Sequence, residues 1–113
     1  MLYENGEIMR ASHILLEHKM KWPPSKQRHH RSQDDAERTM LEVRSRIVDG
    51  ESFSDLAQTY SDCSSRSDGG DLGRFSHGQM VRKFSDAAFA LEVGELSNLV
   101  HTEFGVHLIL RTE

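Results

Sequence analysis

Ile8-Met9-Arg10-Ala11-Ser12-His13-Ile14-Leu15-Leu16 decides the architecture. Ile8, Ile14 and Leu16 share one parity, and Met9, Ala11, His13 and Leu15 share the other, so a strand here is apolar on both faces. Such a strand belongs at the centre of its sheet. At the far end of the chain, Asn98–Thr102 and Val106–Arg111 read as two more strands, turned on Glu103-Phe104-Gly105 as a hairpin. First and last strands can pair, which predicts an antiparallel sheet.

Helical periodicity fills the interval. Over residues 33–49, Ala36, Met40, Val43 and Ile47 form one apolar stripe, with Ser32 as N-cap, Asp34 and Asp35 in the first turn and Gly50 as the stop. A second helix is predicted from Phe53 to Tyr60, where Ser52 and Asp55 have capping-box spacing and Phe53, Leu56, Ala57 and Tyr60 make the stripe. Residues 61–71 are almost all turn-formers, and Leu72 to Phe75 reads as a short strand or helix. Residues 83–91 read as a third helix, with Phe84, Ala87, Ala88 and Leu91 on one face and Gly94 beyond its end. By periodicity alone, Leu72, Met80, Phe84 and Phe89 are core. Residues 17–32 are a long polar loop broken by Pro23-Pro24. The class expected is α+β, an antiparallel sheet with helices on one face. Residues 1–7 are a short extension and 8–113 a single domain.

Composition narrows the function classes. The chain has 113 residues, enough for one core. No apolar run approaches the ~18–20 residues that span a bilayer, and residues 1–5 do not read as a signal peptide. Neither a membrane nor a nucleic acid is the expected partner, since the net charge is −4. Cys63 is the single cysteine, which excludes an internal disulfide and suits a reducing compartment. Charge is unevenly placed. Between His18 and Gln33 lie Lys19, Lys21, Lys26, Arg28 and Arg31 and no acid; the remaining chain holds 9 of the 14 basic residues against all 18 acids. An acidic body thus carries one basic loop, either a solvated surface or a local anion site, for which phosphate is the best match.

Few residues offer chemistry. His13 and His107 both fall mid-strand. Each alone reads as a core histidine bonded to a polar neighbour, but the two imidazoles meet if their strands adjoin. Cys63, in Ser-Asp-Cys-Ser-Ser, reads first as a small buried hydrophobe; covalent catalysis would need a base and an oxyanion site that no local signature announces. His18 and His29-His30 lack the companions of a metal site, so neither metal nor cofactor is expected.

Taken together, several stretches resemble the parvulin-type peptidyl-prolyl cis/trans isomerases: Ala11-Ser12-His13-Ile14-Leu15, Phe53-Ser54-Asp55-Leu56-Ala57, Ser61-Asp62-Cys63-Ser64-Ser65, Gly69-Gly70-Asp71-Leu72-Gly73-Arg74-Phe75, Gly78-Gln79-Met80, Phe84-Ser85-Asp86-Ala87-Ala88-Phe89-Ala90-Leu91, Gly94-Glu95-Leu96-Ser97 and Gly105-Val106-His107-Leu108-Ile109. The resemblance covers residues 8–113. Its Ser-Asp-Cys-Ser-Ser loop and basic insert point to the Pin-type branch, which acts on phosphoSer/phosphoThr-Pro bonds. It implies a four-stranded antiparallel sheet surrounded by helices, an active site of His13, Cys63, His107 and Thr102, and a proline pocket of Leu72, Met80 and Phe84 lined also by Gln79 and Ser65. Phosphate binding falls to Lys19, Lys21, Lys26 and Arg28. The implied partners are phosphorylated Ser/Thr-Pro proteins, met by a monomer in cytoplasm and nucleus. Two departures stand out. Glu17 occupies the position of the first phosphate-binding cation, and Phe104 stands where a small polar residue is common. With Trp22 the only tryptophan, no WW domain is expected.

Overall fold

A computed structural model describes residues 7–18 and 31–113. Its elements are β1 (Ile8–Leu16), α1 (Gln33–Val48), α2 (Phe53–Tyr60), β2 (Asp71–Ser76), α3 (Arg82–Phe89), β3 (Val100–Thr102) and β4 (Gly105–Arg111). Short 3-10 turns, Ser64–Asp68 and His77–Gln79, flank β2. The strands form one antiparallel sheet in the order β2-β1-β4-β3. The two-faced apolar strand β1 is therefore central, as its pattern demands.

The helices divide between the faces, which corrects the one-face expectation. Ile14 and Leu16 of β1 pair with Leu108 and Val106 of β4, and this face carries Ala36, Met40 and Val43 of α1 with Phe53, Leu56 and Ala57 of α2. Met9, Ala11 and Ile109 point the other way and pack with Phe75, Phe84, Ala88 and Leu91. The second apolar parity of β1 is the reason: both faces must be covered, and α3 covers the second. The side chains of Ser32 and Ser52 accept from the amides of Asp35 and Asp55, so both caps form as spaced.

Several boundaries differ from the periodicity. α3 is Arg82–Phe89, and Leu91 is buried beyond its end. β3 is only Val100–Thr102, because Ser97 N–H has already donated to Ile109 O and Leu96 bridges to Leu110 before the strand begins. The segment after Cys63 winds as a 3-10 turn that the turn-forming composition did not distinguish from irregular loop. Two glycines fix close approaches. A Cβ on Gly70, whose φ is +87°, would lie 2.5 Å from His13 O, and one on Gly105 would lie 2.4 Å from Leu16 O. The turn at Gly70 and the first residue of β4 thus run close against the backbone of β1 and its exit. Among the described residues no helix is long and apolar enough to cross a membrane.

Candidate active site

The β1–β4 register sets the site. His13 lies opposite Ile109, and Leu15 opposite His107. The two histidines are therefore diagonal neighbours on one face, within reach of each other across an antiparallel pair. Their Nδ1 atoms stand 3.0 Å apart and the rings stack at 5.2 Å between centroids. One imidazole must donate across that contact and the other accept. His107 Nε2 is 2.6 Å from Thr102 Oγ1, which also accepts from Phe104 N–H at 3.1 Å. The β3–β4 turn thus holds the outer end of a polar chain that runs from Thr102 through His107 to His13.

Burial sets the charge state of His107. The His107 imidazole is pushed down to about 3, first by loss of solvation and then by the neighbouring His13. It is neutral throughout the physiological range. The sign of the linkage follows: the ordinary pKa of 6.5 lies above the folded one, so the unfolded chain binds the extra proton between them. Stability should be complete above pH 6.5 and fall as pH drops toward 3, which urea titrations at stepped pH would show as a falling midpoint.

Cys63 is half-buried at the far end, beside His13. Its thiol is held down to about 6 chiefly by the imidazole of His13, with help from Ser65 and against the opposing effect of burial. His13 Nε2 has no aligned hydrogen bond among the described residues, so ring and sulfur interact without a formed bond. Cys63 is thus not the inert hydrophobe its type alone suggests. Alkylation by iodoacetamide should rise through pH 6 and level off above 7; a rise centred near pH 8–9, as for an ordinary thiol, would contradict this.

Above the polar chain opens a pocket of about 390 Å³, walled by Leu72, Met80, Val81, Phe84 and Phe104 and floored by His13, Cys63 and His107. Phe84 is 3% exposed and sets its edge against both imidazoles, at 5.5 Å from His13 and 5.3 Å from His107. Leu72 and Met80 are half-buried beside it, so the core reading of these side chains gives way to a pocket wall. Gln79 lines the same opening, and its Oε1 accepts from Ser76 N–H. Ser65 does not line it. Its hydroxyl is buried and close enough to the Cys63 thiol to help lower it. Leu15 and Val81 also border the pocket; the sequence does not distinguish Leu15 from the other apolar residues of β1, and Val81 carries no signal there at all.

At the exit of β1, Glu17 N–H donates to Asp62 Oδ2 at 2.9 Å, and Glu17 O accepts from Arg31 at 2.9 Å. Arg31 also pairs with Asp62. One cation of the basic stretch is thereby tied to the domain. Lys19, Lys21, Lys26 and Arg28, with His29 and His30, lie outside the described residues. Among the described residues no group of three or more His, Cys, Asp or Glu side chains is disposed to hold a metal.

An apolar ring-sized pocket over a buried histidine pair in hydrogen-bond contact suits a reaction that rotates a bound group without bonding to it. Comparison with known proteins agrees: the chain belongs to the rotamase family, PPIC-type PPIASE domain, whose model matches residues 13–113. It is similar to the peptidyl-prolyl cis-trans isomerase pin1 of Rhizopus delemar, 47% identical over 94% of this chain and 73% of that protein. It is also similar to Pin1 of Digitalis lanata, 45% identical over 96% of this chain and 98% of the relative. Among solved structures, the peptidyl-prolyl isomerase ESS1 from Candida albicans superposes with a TM-score of 0.85 at 40% identity, covering 97% of this chain and 64% of that one. The protein is a peptidyl-prolyl cis-trans isomerase of Pin type.

Proposed function

We propose that the pocket of Leu72, Met80 and Phe84 holds the proline ring while the preceding carbonyl turns over His13, His107, Thr102 and Cys63, and that the preferred substrates are phosphoSer/phosphoThr-Pro segments. The observation that carries the first part is the joining of an apolar wall to a buried polar floor. Rotation about X–Pro faces a barrier of ~18–20 kcal/mol, because resonance gives the C–N bond partial double-bond character. Resonance separates charge, so an apolar surrounding weakens it. The twisted state is then stabilised more than either planar one, which lowers the barrier between them. The floor supplies hydrogen bonds and a fixed polar environment to the turning carbonyl. No covalent bond needs to form, and no proton needs to leave the substrate. Cys63→Ser should therefore retain substantial activity in a peptide isomerisation assay; complete loss would restore the thiolate as a nucleophile.

The phosphate preference is supported by the acid-free basic stretch of residues 19–31 and by the Pin1 relatives. Lys19, Lys21, Lys26 and Arg28 are the proposed anchors. Fixing the phosphate on one side and the ring on the other leaves the amide bond as the axis free to turn. A reducing compartment, cytoplasm and nucleus, and a monomeric state complete this reading. A second reading, an isomerase indifferent to phosphate, is favoured by Glu17, whose backbone is tied to Asp62 and Arg31 where the family's first cation stands. Rates for peptides carrying Ser, phosphoSer, Glu or Ala before proline separate the two. A large preference for phosphoSer is expected. Similar rates for all four would leave the isomerase and remove the anchor.

A further inference from the structure

Thr102 holds the outer nitrogen of the histidine pair, yet the strand that carries it is the shortest of the sheet. β3 has three residues, lies at an edge and pairs with β4 alone among the described residues. None of the three is fully buried. Exposed segments of this kind open locally at a small fraction of the global stability. Each opening of the hairpin end would take Thr102 away from His107.

The register shows what can hold the strand. Val100 lies opposite His107, and His101 opposite Val106. Directly opposed residues of an antiparallel pair share a face. Val100 and Thr102 therefore lie on the pocket side with His107, whereas His101 lies on the other side with Val106, where α1 packs. There His101 Nε2 stands 3.3 Å from Glu37 Oε2. Glu37 is carried by a firmly seated stretch of α1, since Ala36 and Met40 are both fully buried. Gln33 Nε2, one turn earlier, donates to the same carboxylate oxygen at 3.2 Å. His18 and Arg31 complete the surroundings. Burial, and after it the neighbouring His101, holds the imidazole of His18 below its ordinary 6.5, with Glu37 opposing and Arg31 adding to the fall. His18 is then neutral at pH 7 and leaves the Glu37 carboxylate to His101. Neither Glu37 nor His101 borders the proline pocket, so any effect on turnover must pass through the strand.

We infer that Glu37 and His101 are positioning residues for the isomerisation: they tie the edge strand to α1 on one face and so keep Thr102 on His107 at the other. Their effect reaches the substrate only through Thr102, and it presumes the polar floor beneath the turning carbonyl as proposed.

The test is a set of variants measured on the fastest of the Ser-, phosphoSer-, Glu- and Ala-Pro peptides. Glu37→Ala and His101→Ala should each lower kcat by about two- to fivefold, up to the ceiling that a half-exposed ion pair sets, with KM unchanged. The double variant should lose no more than either single one, because both remove the same contact. Thr102→Val should itself slow turnover, and adding Glu37→Ala to it should change nothing further. Amide exchange reads the strand directly: Phe104 N–H, which donates to Thr102 Oγ1, should exchange about two- to fivefold faster in Glu37→Ala. A surface pair that serves general stability alone would move neither kcat nor this amide well below the unfolding temperature. Unchanged kcat in Glu37→Ala beside a slowed Thr102→Val, or a loss that persists undiminished in the Thr102→Val background, would overturn the inference and leave the floor standing. Full turnover in Thr102→Val would remove the floor and the inference together.

Discussion

Phe84→Ala should cost about 3–5 kcal/mol of stability, the usual penalty for emptying a buried phenylalanine site, and remove most of the turnover. Phe84 serves two structures at once. It is 3% exposed within the cluster that α3 makes with Met9, Ala11 and Ile109. Its ring also stands edge-on to both active-site imidazoles and at 6.2 Å from Phe75. Truncation would open a void between core and pocket and let water reach the polar floor. Urea unfolding would read the first effect and kcat/KM the second. Met80→Ala separates them, because Met80 is only half-buried on the pocket rim: it should raise KM with a smaller loss of stability. A Phe84→Ala protein that turns over at the original rate while unfolding earlier would return Phe84 to the core and empty the proposed proline site.

The histidine pair gives the second large effect. His13→Leu or His107→Leu alone should lower stability by about 1–3 kcal/mol, the penalty for leaving a buried polar partner unsatisfied. In the His13 variant, His107 loses its Nδ1 partner; in the His107 variant, both His13 and Thr102 lose theirs. The double variant should be destabilised by less than the two single changes added together, because replacing both partners removes the orphan along with the bond. All three should lose kcat by roughly tenfold or more with KM little altered, since the floor acts on the turning carbonyl and the pocket wall remains. Additive stability losses would mean the Nδ1–Nδ1 contact carries no coupling, and undiminished kcat would mean the floor is packing alone.

Much of this was legible in the residues. The parity of Ile8–Leu16 gave a central strand, and the capping serines at positions 32 and 52 gave two helix starts. The same parity also required cover on both faces, but periodicity cannot tell which face a helix takes, so the division of the helices between the faces is not legible in it. His13 and His107 were visible as mid-strand histidines; that they meet depends on register, which follows from pairing Leu15 with His107 and is not written in either strand alone. Leu72, Met80 and Phe84 look identical to core residues by spacing, because a pocket wall is apolar for the same reason a core is. Only the family resemblance separated the two. Val81 carried no sequence signal of function, and its meaning comes from the pocket it borders.

The most direct measurement is exchange spectroscopy on a phosphoSer-Pro peptide with the protein far below stoichiometric. Cross-peaks between cis and trans resonances should appear within seconds, where the unassisted peptide needs tens to hundreds of seconds, and should disappear with Phe84→Ala. Peptide signals that shift or broaden on binding while cis and trans remain without exchange would contradict the account and make the pocket a reader of proline-containing segments.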